Sequence, residues 1–122
     1  MKWDAEAFRV GPSSIPDAGK GLFAVRRIEV GDTIGYYSGK VISAAELNAG
    51  MYAGSEYLLY ITRNHIIVGE GPLANYTRFI NHSEAANAFL ITSTRWKTAR
   101  FEAIRVIEPG DEVFFNYGDD FF

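Results

Sequence analysis

In the segment RFINHS (78–83), two polar side chains, Asn81 and His82, follow the apolar pair Phe79-Ile80, and His82 is one of only two histidines in the chain. Its chemistry narrows quickly. As a metal ligand it lacks company, because no second histidine or carboxylate stands at a spacing such as His-x-x-x-His and His65 falls in a separate element. As part of a Ser-His-Asp triad it would have to use Ser83, a sequence neighbour that faces it poorly, and the chain has no Gly-x-Ser-x-Gly turn. With no cysteine present, a disulfide framework, a thiolate-bound zinc and a cysteine nucleophile are all excluded. Taken alone, the segment reads as a turn or helix end, where Asn accepts left-handed backbone and Ser bonds its own main chain.

Two other stretches carry chemical potential. Asp17-Ala18-Gly19-Lys20-Gly21 lacks the Gly-x-x-x-x-Gly-Lys-Ser/Thr spacing and precedes a predicted strand, so it is not a phosphate loop. Its paired glycines would still let a ligand approach the main chain. Residues 111–122, DEVFFNYGDDFF, are rich in aromatic side chains, and strand alternation puts Phe115 and Tyr117 on one face. That face is either packed core with a terminal hydrophobic latch, or the wall of a narrow aromatic channel that carries a phenol.

The elements that must position these residues read as short strands separated by glycine turns. At 122 residues and 48% apolar, the chain has the size of one domain with one core, and its 15% aromatic content suits packed β-structure. Strands are predicted at residues 8–10, 21–25, 33–42, 57–62, 65–68, 89–94, 98–107 and 112–117. Ser43-Ala44-Ala45-Glu46 has capping-box spacing and predicts a short helix from Ser43 that fails by Gly50. A second short helix is predicted over 73–80. No repeat or low-complexity tract interrupts the chain, and the architecture is mainly β in several small sheets.

A net charge of -3 gives no basic footprint for direct nucleic-acid binding. The late acidic residues Glu108, Asp111, Glu112, Asp119 and Asp120 favour a basic partner or form a solvated acidic surface. No stretch approaches the roughly 20 apolar residues of a membrane span, and MKWDAEAF has no signal-peptide run. The expectation is a soluble intracellular protein, cytoplasmic or at chromatin depending on the host.

Taken in order, GKGLFA (19–24), YYSG (36–39), EYLLYI (56–61), RFINHS followed by Asn87, and EPGDEVFFNYG (108–118) resemble the SET domain of protein-lysine methyltransferases. The resemblance covers nearly the whole chain and looks most like the minimal viral and bacterial members. It implies a single domain over 1–122 without flanking zinc modules, folded as a β-clip of small sheets with a C-terminal pseudoknot that brings RFINHS beside FFNYG. It further implies S-adenosylmethionine as cofactor, with S-adenosylhomocysteine as product and no metal.

By the same resemblance, Gly19, Lys20, Gly21 and Leu22 offer backbone groups to the cofactor, with Lys20 near its carboxylate. Tyr57, Arg78, Asn81 and His82 complete that pocket. Tyr117 matches the family's catalytic tyrosine, and Tyr37 a catalytic-site tyrosine that lines the lysine channel. Phe115, two residues before Tyr117, matches the channel position where phenylalanine leaves room for di- and trimethylation. The implied substrate is a basic lysine-containing protein or peptide such as a histone tail, and the alternative is a SET-fold module that binds lysine peptides without turnover.

The chain departs from the family at Glu84-Ala85-Ala86, where a cysteine and a proline are usual, and it lacks the cysteine-rich segment that completes the channel in many relatives. Phe121 and Phe122, or a second subunit in a homodimer, are the expected substitutes.

Overall fold

The computed structural model describes residues 5–117, apart from the side chain of Tyr117. Residues 118–122, with Asp119, Asp120 and the expected covering residues Phe121 and Phe122, lie outside the described residues. An antiparallel hairpin of β1 (Phe8–Pro12) and β2 (Lys20–Ala24) opens the chain, in register from Phe8 opposite Ala24 to Pro12 opposite Lys20. The next segment does not run as one strand. It splits into β3 (Thr33–Tyr36) and β4 (Lys40–Ile42), which belong to different sheets. The break has a steric cause, because at Gly39 a Cβ would strike the Val68 carbonyl, and only glycine passes that close to another backbone.

The predicted capping box is present. Ser43 N–H donates to Glu46 Oε1 at 2.9 Å and Glu46 N–H to Ser43 Oγ at 3.1 Å, starting α1 (Ala44–Asn48), which gives way at Gly50 with φ +106°. The two strands predicted at 57–62 and 65–68 form as β5 (Leu58–Thr62) and β6 (His65–Val68) and pair as an antiparallel hairpin, and β6 pairs with β4 to complete a three-stranded sheet. Ile42, Ile66 and Val68 are its small core, covered by Leu47 and Met51 from the helical segment.

The helix predicted over 73–80 shrinks to a single 3-10 turn, Tyr76–Phe79. Gly71 holds φ +81°, and Asn75 caps the turn, its Oδ1 accepting Thr77 N–H at 3.0 Å while its Nδ2 donates to the Tyr36 carbonyl at 2.8 Å. Ile80 is already extended and feeds β7 (Asn81–His82).

The larger sheet is completed by β8 (Ala88–Ser93), β9 (Thr98–Ala103) and β10 (Glu112–Tyr117), in the order β1-β2-β10-β8-β9-β3. The strand predicted to reach Ile107 stops at Ala103, and Ile107 instead forms an isolated bridge with Ile28. β10 is the inserted element: it runs antiparallel to β2 through Glu112 and Val113, then parallel to β7 and β8 through Phe114 to Tyr117. This arrangement of curled sheets around an inserted last strand is the mainly β architecture expected from the resemblance.

The core lies where β10 meets its neighbours, with Leu22, Leu90, Phe101, Ile107 and Val113 buried together. Leu22, which is fully buried, loses its packing when shortened. Leu22→Ala is expected to cost about 2–5 kcal/mol, read as a lower urea midpoint. Val30→Ala, at a position 60% exposed, is expected to stay within about 0.5 kcal/mol of the parent protein.

Candidate active site

A cavity of about 690 Å³ opens where the N-terminal loop, the 3-10 turn, β7 and β10 converge. It falls in the size range of small-molecule sites. One wall is the loop Asp17 to Lys20, and the facing wall is Arg78 to His82. Tyr37, Tyr57, Leu59, Leu90, Phe101 and Phe115 form an apolar and aromatic floor. Eight of the residues singled out from the sequence thus meet around one space: Gly19, Lys20, Tyr37, Tyr57, Arg78, Asn81, His82 and Phe115.

Gly21 and Leu22 do not line this space. Leu22 is turned into the core, and the space beside Gly21, where a Cβ would stand, is filled by the carboxylate of Glu112. Gly19 is different, since its φ of +74° sets its need for glycine and nothing crowds it. The backbone of Tyr117 pairs with Leu90 of β8, while its side chain lies outside the described residues.

The aromatic floor is held by specific contacts. The rings of Phe101 and Phe115 meet edge to face at 5.5 Å, and His82 packs edge-on against Phe115 at the same distance. Tyr37 packs against Phe101, and its hydroxyl donates to the Tyr57 carbonyl at 2.7 Å. Burial pushes the Tyr37 phenol up to about 12, with the Tyr57 phenol adding to the shift and the Arg78 guanidinium opposing it. Tyr37 is therefore a neutral hydroxyl at neutral pH.

Two cations border the cavity. Arg78 lies 4.7 Å from the Phe79 ring centroid and 5.6 Å from that of Tyr57, and it donates to the Gly69 carbonyl at 3.2 Å. The Lys20 ammonium lies 6.0 Å from the Phe79 centroid. Asp17 and Glu56, both exposed, add carboxylates to the lining. Both lie in stretches marked in the sequence, Asp17 in DAGKG and Glu56 in EYLLYI, but neither was assigned a role there.

Behind the two walls sits Glu112, only 7% exposed. Its carboxylate accepts from Ser13 Oγ at 2.7 Å, from Ser14 N–H and Oγ at 2.8 Å each, and from Asn81 Nδ2 at 3.4 Å. Burial pushes the carboxyl up, but the four donors outweigh it and hold the group below its ordinary value. Asn81 Nδ2 also donates to the Lys20 carbonyl at 3.0 Å, which ties one wall of the cavity to the other. Glu112 was legible in sequence only as one member of an acidic cluster. The structure removes it from that surface, while Glu108 stays exposed beside Arg27 at 3.4 Å.

The stretch that departs from the expected pattern is accommodated by its neighbours. Ala86 is buried, and Asn87 lies against β10, donating Nδ2–H to the Glu112 carbonyl and accepting Phe114 N–H at Oδ1, both at 2.9 Å. Its side chain serves as a surrogate strand partner. Among the described residues, no group of His, Cys, Asp and Glu could hold a metal ion, and no helix is long and apolar enough to cross a membrane.

Comparison with known proteins gives one consistent family. The SET domain model matches residues 19–118. The histone-lysine N-methyltransferase EZH2 of Chaetomium thermophilum is 33% identical over 96% of this chain, and the mouse histone-lysine N-methyltransferase NSD3 is 31% identical over 84%. The chain spans only 8% of the length of each of these relatives. Among solved structures, the Chaetomium thermophilum polycomb repressive complex 2 superposes with a TM-score of 0.78 at 30% identity, covering 96% of this chain and 16% of that one. A ctPRC2 structure in an autoinhibited conformation bound to S-adenosylmethionine superposes with a TM-score of 0.74 at 33% identity, covering 93% of this chain and 15% of that one. With its motifs in order, its last strand inserted between β2 and β8, and this match over most of its length, the chain belongs to the SET domain family.

Proposed function

We propose that this chain transfers a methyl group from S-adenosylmethionine to the side-chain amine of a protein lysine, with a histone tail as the favoured substrate class. The single observation that carries this reading is the cavity itself, which joins a polar, charge-lined end to an aromatic floor. Its polar lining suits the cofactor: Lys20 and Arg78 can meet a carboxylate, Asp17 and Glu56 can meet an ammonium, and the aromatic rings tolerate a cationic sulfur. The SET relatives named as histone-lysine methyltransferases, and the neighbour bound to S-adenosylmethionine, support the same reading.

When bound, the cofactor supplies a methyl group activated by a positive sulfonium, which a neutral amine can accept. Free lysine has a pKa of about 10.4, so the channel must favour the neutral form. Phe115, Tyr37 and Phe101 do this by excluding water around the amine, which raises the cost of its charge. The Tyr37 hydroxyl is committed as a donor to Tyr57, so toward the cavity its oxygen can only accept a hydrogen bond from an amine N–H. Tyr117 is assigned the complementary task of orienting the amine, not of removing its proton, because a phenol stays protonated near pH 7. The proton leaves by water.

Phe115 in place of a tyrosine leaves no hydroxyl to anchor a water beside the amine, and the methylated nitrogen can turn for further rounds. Di- and trimethyl products are therefore assigned to this chain.

Mass spectrometry of histones and lysine peptides incubated with S-adenosylmethionine tests the reading: the chain is expected to add methyl groups, and Tyr117→Phe to lower the rate by about 10²-fold or more. Cofactor binding with no transfer across a broad peptide panel would instead assign a lysine-peptide binding module. Phe115→Tyr is expected to shift the end product toward monomethyl-lysine, and an unchanged product distribution would remove Phe115 from that role. In a spectrophotometric titration, Tyr37→Phe is expected to delete a phenol that ionises near pH 12 and none near pH 10. Because the folded state keeps this proton where the unfolded chain releases it, stability is expected to fall between about pH 10 and 12 in the parent and less so in the variant.

A further inference from the structure

We propose that Glu112 is the positioning residue of the cofactor pocket, and that Gly21 is glycine in order to admit its carboxylate. The inference rests on the cofactor reading above, but its geometry is independent of any ligand. Glu112 does not line the cavity; it stands behind it, at the first position of β10. From there one oxygen takes the Ser14 N–H and hydroxyl, and the other takes the Ser13 hydroxyl and the Asn81 amide.

Those contacts fall at two mechanical points. Ser13 closes the base of the glycine loop, since its N–H donates to the Gly19 carbonyl at 2.8 Å and its Oγ accepts Ile15 N–H at 3.1 Å. Asn81 spans from Glu112 to the Lys20 carbonyl, at the other end of the same loop. One carboxylate therefore fixes the start of the loop through Ser13 and Ser14, and its end through Asn81. A charged acceptor makes such bonds stronger than neutral pairs would be.

Gly21 makes room for this arrangement. A Cβ there would collide with Glu112 Oε2, and it would stand 3.0 Å from Glu112 Cδ and 3.2 Å from Ser13 Cβ. A lone carboxylate could swing away, but this one is held by four hydrogen bonds. The second glycine of the pair is thus explained by a carboxylate from the far end of the chain, not by a ligand's approach to the main chain.

Three proteins decide the matter: the parent chain, Glu112→Gln, which keeps the shape and loses the charge, and Gly21→Ala, which leaves Glu112 in place and displaces its carboxylate. Amide hydrogen exchange across residues 14–20, with β8 and β9 as internal reference, is compared with calorimetric affinity for S-adenosylhomocysteine and with the KM for a lysine peptide. Both variants are expected to exchange about tenfold faster in 14–20 alone, to bind S-adenosylhomocysteine about tenfold more weakly, and to keep the peptide KM. Unchanged loop exchange overturns the proposal, as does acceleration that spreads equally through β8 and β9, or a loosened loop with undiminished affinity. If the parent chain binds no S-adenosylhomocysteine, the cofactor reading fails, and loop exchange alone decides whether Glu112 holds the loop. Should Glu112→Gln not fold, Ser13→Ala combined with Ser14→Ala, which touches no core strand, is judged by the same readouts.

Discussion

One backbone segment, β10, satisfies its hydrogen-bonding groups against three separate parts of the chain, and those pairings set the two facing walls of the cavity and the Phe115 side of its floor. Val113 opposite Leu22 fixes β2 and therefore the end of the glycine loop; Phe114 and Phe115 opposite Asn81 and His82 fix the facing wall. Phe115 to Tyr117 alongside β8 aims the aromatic floor. Buried backbone groups must be paired, so β10 cannot shift along one neighbour without breaking its bonds to the others. Motifs that are far apart in sequence are held together by this requirement.

Side chains extend the same logic where strands run out. Asn87 supplies an amide in place of a strand just before β8 begins, and Ser83 N–H reaches the Phe115 carbonyl at 3.1 Å. These contacts explain how the chain absorbs Glu84-Ala85-Ala86 without the cysteine and proline usual in the family. The backbone of β10 is gripped on both sides of the departure, and buried Ala86 needs only to be small.

Local features were readable in the sequence to the extent that their causes were local. The capping box of α1 and the β5–β6 hairpin depend on residues a few positions apart, and both appear where the pattern put them. The strand predicted over 33–42 failed because Gly39 answers to the main chain at Val68, which no window around Gly39 contains. The helix predicted over 73–80 was cut short by Asn75, whose amide reaches back to Tyr36. In the site, the motif-borne residues Gly19, Arg78, Asn81 and Phe115 were identifiable by resemblance. Glu112 was not, since its meaning lies in Ser13, Ser14 and Gly21 at the other end of the chain.

The central place of β10 also shapes how the chain reaches this fold. β1 with β2, and β8 with β9, are hairpins that can close early, but the inner edges of β2 and β8 have no partner until residues 112–117 arrive. Closing that gap brings together segments from opposite ends of the described chain, a slow step by loop-closure entropy. Until it happens, two unpaired strand edges flanked by buried-type residues such as Leu22 and Leu90 stand open to strands of other chains. Pairing with β10 is therefore also what closes both of these edges to strands of other chains.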